Sequence, residues 1–189
     1  MQWISRRRVL AAAGTVAIGT VAAAAMPRNS RAQELADPSK ALVLTDPPAP
    51  VPDDIVFVGA DGTEHRPADF RGHGMVVNLW ATWCVPCVAE MPALSKLAAR
   101  LGPQDIAVLP LSSDRGGAAA VQRFYDEHAI GALPVLLDPK GAAARAWGAR
   151  GIPTTIIIDK QGREAARLEG AADWASDAAA ARVRDLVQR

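Results

Sequence analysis

The stretch that most constrains this chain is Asn78-Leu79-Trp80-Ala81-Thr82-Trp83-Cys84-Val85-Pro86-Cys87. The apolar run Met75 to Leu79 reads as a buried strand. Two tryptophans and a Cys-x-x-Cys pair end it, and a helical pattern follows at once. The N-terminal end of a helix offers unpaired backbone N–H groups and a partial positive charge. A thiolate placed there is stabilised, so its pKa falls and more of it is ionised at neutral pH. The thiolate is the species that attacks disulfides. A thiol pair at a strand-to-helix junction therefore points to thiol–disulfide exchange. The chain has two cysteines, and both are in this motif. No structural disulfide beyond the pair is possible, so stability must come from the core.

Of the 189 residues, the first 32 read as a targeting segment. Ser5-Arg6-Arg7-Arg8 gives a basic start, Val9 to Met26 is uncharged and mostly small or apolar, and Ser30-Arg31-Ala32 leaves small residues around a cleavage point. Ser-Arg-Arg-Arg-Val-Leu resembles the bacterial twin-arginine signal, with valine where that signal usually has phenylalanine. The alternative is an uncleaved N-terminal membrane anchor, for which the apolar run is barely long enough. Either reading places the domain in the periplasm, soluble or held to the outer face of the inner membrane. Segment 1–32 holds five of the 21 basic residues and no acid, so residues 33–189 carry 16 basic and 20 acidic side chains, net −4. No basic patch is interleaved with aromatics, which argues against nucleic acid as a partner.

Residues 33–52, with Pro47-Pro48-Ala49-Pro50-Val51-Pro52, read as an extended Pro-rich linker, and the folded domain is expected over 53–189. Ile55 to Val58 and Thr63 to Arg66 read as a hairpin around Gly59-Ala60-Asp61-Gly62, followed by a helical turn from Pro67 to Phe70. After the strand over 75–80, a helix from Val85 carries Val88, Met91, Leu94, Leu97 and Leu101 at helical spacing, and Gly102-Pro103 stops it. Pro92 inside it should kink it. Strands are expected at Ile106–Leu111, Leu133–Leu137, Thr154–Ile158 and Arg163–Leu168. Helices are expected at Ala118–His128, Gly141–Trp147 and Trp174–Gln188, the last with Asp173 or Ser176 as cap. Strands alternating with helices and closing in a hairpin predict an α/β domain, a mixed sheet with helices on both faces.

Trp83-Cys84-Val85-Pro86-Cys87 after an apolar strand, with Ile152-Pro153-Thr154 before a later one, resembles thioredoxin. The longer run Asn78 to Pro92, with Asp69-Phe70-Arg71-Gly72 and Gly151-Ile152-Pro153-Thr154-Thr155, resembles the TlpA-like branch that includes the ResA and CcmG proteins. The resemblance covers roughly Asp53 to the C-terminus. It implies a thioredoxin fold with an N-terminal β-hairpin and an inserted strand–helix unit. It implies Cys84 as the exposed attacking thiol, Cys87 as its buried resolving partner, and no cofactor. Pro153 corresponds to that fold's cis-proline, leaving the Ile152 backbone free to pair with a partner's extended segment. Asn78 departs from thioredoxin, which has a buried aspartate there, and the TlpA-like branch shares the departure. Glu90 is that branch's alternative acid, on the same helix side as Cys87, and reads as a proton acceptor or pKa modulator; otherwise it is a solvated helix-face glutamate. Trp83 is expected beside Cys84 in the partner groove and Trp80 in the core. Trp147 and Trp174 read as core or rim aromatics without chemistry.

Val85-Pro86 between the cysteines resembles the reducing branch rather than strong oxidants of the DsbA type. The expected activity is that of a disulfide reductase for exported proteins, in cytochrome c maturation or copper-site assembly. Its electrons would come from a membrane donor of the DsbD or CcdA kind. The rivals are a general periplasmic thiol oxidant and a Sco-like copper metallochaperone, although the latter family places three residues between its cysteines. A zinc site would need two more ligands, and His65, His73 and His128 are scattered, so no metal is expected.

Overall fold

The computed structural model describes residues 35–189; the expected targeting segment 1–32 lies outside the described residues. In chain order the elements are α1 (Pro38–Ala41), β1 (Val43–Pro50), β2 (Phe57–Gly59), β3 (Glu64–His65), β4 (Gly74–Trp80), α2 (Val85–Leu101), β5 (Ile106–Ser112), α3 (Gly117–Glu127), β6 (Leu136–Leu137), α4 (Ala142–Ala146), β7 (Thr154–Ile158), β8 (Arg163–Glu169) and α5 (Asp177–Val187). Short 3₁₀ turns at Pro67–Phe70 and Gly102–Gln104 join them.

The strands form one eight-stranded sheet in the order β1-β8-β7-β4-β5-β6-β2-β3. β4 lies near its centre, parallel to β5 and antiparallel to β7. Every residue of β4 is buried, as an apolar strand covered on both faces requires. Alternation along the strand divides its side chains between two cores. Val76 and Trp80 pack with Leu94 and Leu97 of α2 and Val183 and Leu186 of α5. Met75, Val77 and Leu79 pack with Phe57, Ile156, Ile158 and Trp147 on the other face. Asn78, two residues from Val76 and Trp80, shares the α2 side.

The buried face of α2 is Cys87, Glu90, Met91, Leu94, Leu97 and Leu101, an apolar stripe at helical spacing with one acid in it. The helix continues through Pro92 as a single element, because an internal proline removes one N–H donor and the packed stripe on either side holds the rest. It ends at Gly102, and Asp105 then takes a left-handed conformation, φ 58°. Ser176 caps α5 by accepting from the Ala179 N–H at 3.1 Å. The helix thus starts three residues later than expected, and Trp174 stands before it. Among the described residues no helix is long and apolar enough to cross a membrane.

Two other expectations are corrected. Residues 35–52 are not a linker: β1 pairs antiparallel with β8, Leu42 and Val51 are buried, and Ala36 is hydrogen-bonded on both sides to the 171–173 segment. Prolines exclude a strand from the middle of a sheet, but an edge strand needs donors on one side only. The register shift between Leu44 and Ala49 takes up the stretch holding Pro47 and Pro48, as a bulge does. The strand expected over Leu133–Leu137 pairs only at Leu136 and Leu137, since Pro134 has no donor to give a ladder.

Candidate functional site

The chain leaves β4 at Trp80 and enters α2 at Val85, so Cys84 is the residue that caps α2. Its backbone is extended (φ −89°, ψ 103°) and its Sγ accepts from the Cys87 N–H at 3.3 Å. Cys84 and Cys87 are joined in a disulfide, S–S 2.14 Å. Cys87, one turn into the helix, is fully buried. Cys84 is the more accessible of the two but only 6 % exposed, against the expectation of an exposed thiol. Around it the surface is apolar: Trp83 is 66 % exposed and Val85 is exposed too, and Pro86 is half-buried.

The second wall of the site comes from the loop before β7. The Ile152–Pro153 peptide is cis, and the Ile152 carbonyl oxygen lies 3.8 Å from Cys84 Sγ. Ile152 is half-buried and Pro153 buried. The cysteines and this loop are 68 residues apart in sequence and meet because β7 pairs with β4, Thr154 opposite Leu79.

The entry loop to α2 is pinned from β5. Asp114 accepts from the Thr82 N–H at 2.9 Å, from the Thr82 hydroxyl at 2.6 Å and from the Ser112 hydroxyl at 2.7 Å. These bonds fix the residues immediately before Trp83 and Cys84 to the C-terminal end of the neighbouring strand.

Glu90 is completely buried, one helical turn from Cys87 on the same face, so the reading as a solvated glutamate falls. Its Oε1 accepts from Asn78 Nδ2 at 2.9 Å; its Oε2 accepts from the Ala172 N–H at 2.9 Å and from Trp174 Nε1 at 3.1 Å. None of these donors is charged. Burial outweighs the three hydrogen bonds and pushes the carboxyl up to about 7, because removing a carboxylate from water disfavours its charged form. Asn78 Nδ2 also donates to Thr155 Oγ1 at 3.0 Å, while its Oδ1 has no partner among the described residues. Sequence reading missed Trp174 and Ala172 as partners of the acid. Trp174 gave no signal, standing 84 residues from Glu90. Asn78 did give one: an amide in an otherwise apolar strand must find partners in the core.

The sheet, the helices on both faces, the helix-capping disulfide and the facing cis-proline define a thioredoxin-fold protein with a Cys-x-x-Cys centre. Residues 45–182 match the Redoxin family, and the chain belongs to that family. It is similar to the thiol-disulfide oxidoreductase ResA of Geobacillus thermodenitrificans (strain NG80-2), at 33 % identity over 110 residues, 58 % of this chain and 62 % of that protein. The match thus spans less than two thirds of the length of that curated relative. Among solved structures, a secreted thiol-disulfide isomerase from Corynebacterium glutamicum superposes with a TM-score of 0.64 at 25 % identity, covering 80 % of this chain and 97 % of the other. The exposed lipoprotein thioredoxin of Streptococcus pneumoniae gives a TM-score of 0.58 at 29 % identity, covering 69 % of this chain and 98 % of the other.

Proposed function

We propose that this protein is a periplasmic thiol–disulfide oxidoreductase that reduces disulfides in exported proteins. The observation that carries the reading is the Cys84–Cys87 disulfide at the N-terminus of α2, with the more accessible sulfur at the cap and its partner buried behind it. In the reduced protein the Cys84 thiolate, held by the helix N-terminus, attacks one sulfur of the substrate disulfide. That S–S bond breaks, a mixed disulfide forms and the first substrate thiolate leaves. Cys87 then attacks Cys84 Sγ, the mixed disulfide breaks and the second substrate thiolate leaves. Two electrons pass to the substrate and the Cys84–Cys87 disulfide is regenerated.

Cys87 is buried, which disfavours its thiolate, so it needs a nearby acceptor for its proton. Glu90, one turn along the same face, has a carboxyl brought to about 7 and fills that role; a base titrating near the working pH is the efficient one. Ile152 and Pro153, beside Cys84 Sγ, offer a backbone edge to the substrate strand. Trp83 and Val85 supply apolar surface on either side of the sulfur, and Pro86 occupies the first turn of α2. The similarity to a thiol-disulfide oxidoreductase supports protein disulfides as substrates; in this reading they include the haem-attachment or copper-site cysteines of exported proteins, as the TlpA-like resemblance of Asn78 to Pro92 implies. The same resemblance implies re-reduction by a membrane donor of the DsbD or CcdA type.

The test is capture. Cys87→Ser protein, incubated with a periplasmic extract, should accumulate mixed disulfides through Cys84, while Cys84→Ser protein should form none. No Cys84-linked adduct would sink the exchange reading. The reduction potential of the pair settles direction. A value near thioredoxin's roughly −270 mV fits a reductase, whereas one near DsbA's roughly −120 mV would make it an oxidant.

A further inference from the structure

β4, β5 and β6 run parallel and in step, with Trp80 beside Ser112 and Ser112 beside Leu137. Their C-terminal ends deliver the loops 81–84, 113–116 and 138–141 to one edge of the sheet. The crevice beyond the carboxyl ends of parallel strands is where open α/β sheets take ligands. Here it is a cavity of about 820 Å³ with Trp83, Asp114, Arg115, Pro139 and Lys140 in its walls. Since Trp83 precedes Cys84, the cavity begins one residue from the disulfide.

The charge it presents is positive. Arg115 and Lys140 are exposed, and neither belongs to an ion pair among the described residues. Arg145 adds a cation at the rim by donating to the Lys140 carbonyl at 2.6 Å. Among the described residues Asp114 is the one carboxylate in the lining. It is 4 % exposed, and Thr82 and Ser112 already occupy both its oxygens. Residues 33–189 as a whole hold 20 acids and 16 bases, and Glu90, Asp114, Asp138, Asp159 and Glu164 among those acids are buried. The groove is thus a local cluster of exposed cations on a surface whose charges are otherwise close to balance, and an acidic segment is attracted there.

We propose that the groove seats the segment flanking the reactive cysteine of a polypeptide substrate, and selects substrates with carboxylates in that flank. The inference rests on the exchange reading and names its substrate class. Trp83 packs against the apolar part of the segment, and Arg115 and Lys140 pair with its acids. Charges at a rim act mainly on encounter rate and partner choice, so the selection is kinetic and weakens with salt.

The experiment uses the reduced protein and two disulfide-bearing peptides, identical except for Asp or Lys residues beside the cysteine. Exchange rates are followed at about 10 mM and about 1 M ionic strength, where the screening length is about 30 Å and about 3 Å. At low salt the Asp peptide should react about fivefold to tenfold faster than the Lys peptide. That ratio should fall towards one at high salt, and in the Arg115→Ala/Lys140→Ala double variant. A ratio near one in the unsubstituted protein, or a ratio unchanged in the double variant, would overturn the proposal. A neutral small disulfide run in parallel keeps the two readings apart: if it too fails to react, the exchange reading falls. Docking is then decided by fluorescence anisotropy with labelled peptides carrying serine for cysteine. Tighter binding of the Asp peptide that the double variant loses supports the groove; equal binding of both peptides overturns it.

Discussion

Glu90 is a buried acid whose three partners are all neutral, and that fixes the sign of its effect on stability. Its carboxyl stands at about 7 in the folded protein against 4.5 as the ordinary value. Between those pH values the native state keeps a proton that the unfolded chain has lost. The contribution is therefore fully present below about pH 4.5, declines as pH rises, and is gone above about pH 7, a total on the order of 3 kcal/mol. Urea unfolding of the oxidised protein at stepped pH should show this fall, and Glu90→Gln should flatten it. The amide is tolerated, because Asn78 Oδ1 lacks a partner among the described residues and a rotated Asn78 can accept from it. An unchanged slope in the variant would assign the proton elsewhere. The sequence showed that Glu90 and Cys87 share a helix face, since that follows from a separation of three. It could not show the burial, which is made by Trp174 and Ala172 more than eighty residues away.

Between elements, the loop that carries Trp83 and Cys84 owes its position to Asp114. Asp114→Ala leaves the Thr82 N–H and two hydroxyls without their acceptor, and an orphaned buried donor costs about 1–3 kcal/mol. Thermal unfolding should shift down by about 3–10 °C, and a shift within error would mean that water replaces the carboxylate at no cost. Most elements were legible because each has a pattern that its own residues display: the stripe of α2 and the apolar run of β4. Asp114 was not, because Ser112 to Gly117 reads as a loop. A loop's polar residues do not say which are solvated and which accept from a neighbouring strand end. The same limit hid the cationic groove, whose walls come from three loops that only the parallel register of β4, β5 and β6 brings together.

At the scale of the whole molecule, the misread segment is the one that closes the sheet. Its prolines point to an extended tether by composition, and only the pairing with β8, where Val43 lies opposite Arg167, makes it an edge strand. The segment also reaches the site. Ala36 donates to the Ala171 carbonyl and accepts from the Asp173 N–H, bracketing Ala172, whose own N–H donates to Glu90. Removing residues 33–52 should therefore do two things that loss of a tether would not. It should lower stability to denaturant by on the order of 3 kcal/mol or more, the burial of Leu42 and Val51 alone accounting for that much. It should also move the pH dependence that Glu90 imposes, because the backbone donor at Ala172 loses its support and a weaker donor lets the carboxyl rise further. Unfolding of the 33–189 and 53–189 proteins, compared across pH, reads both at once. Equal stability with superimposable pH profiles would return the segment to the status of a spacer.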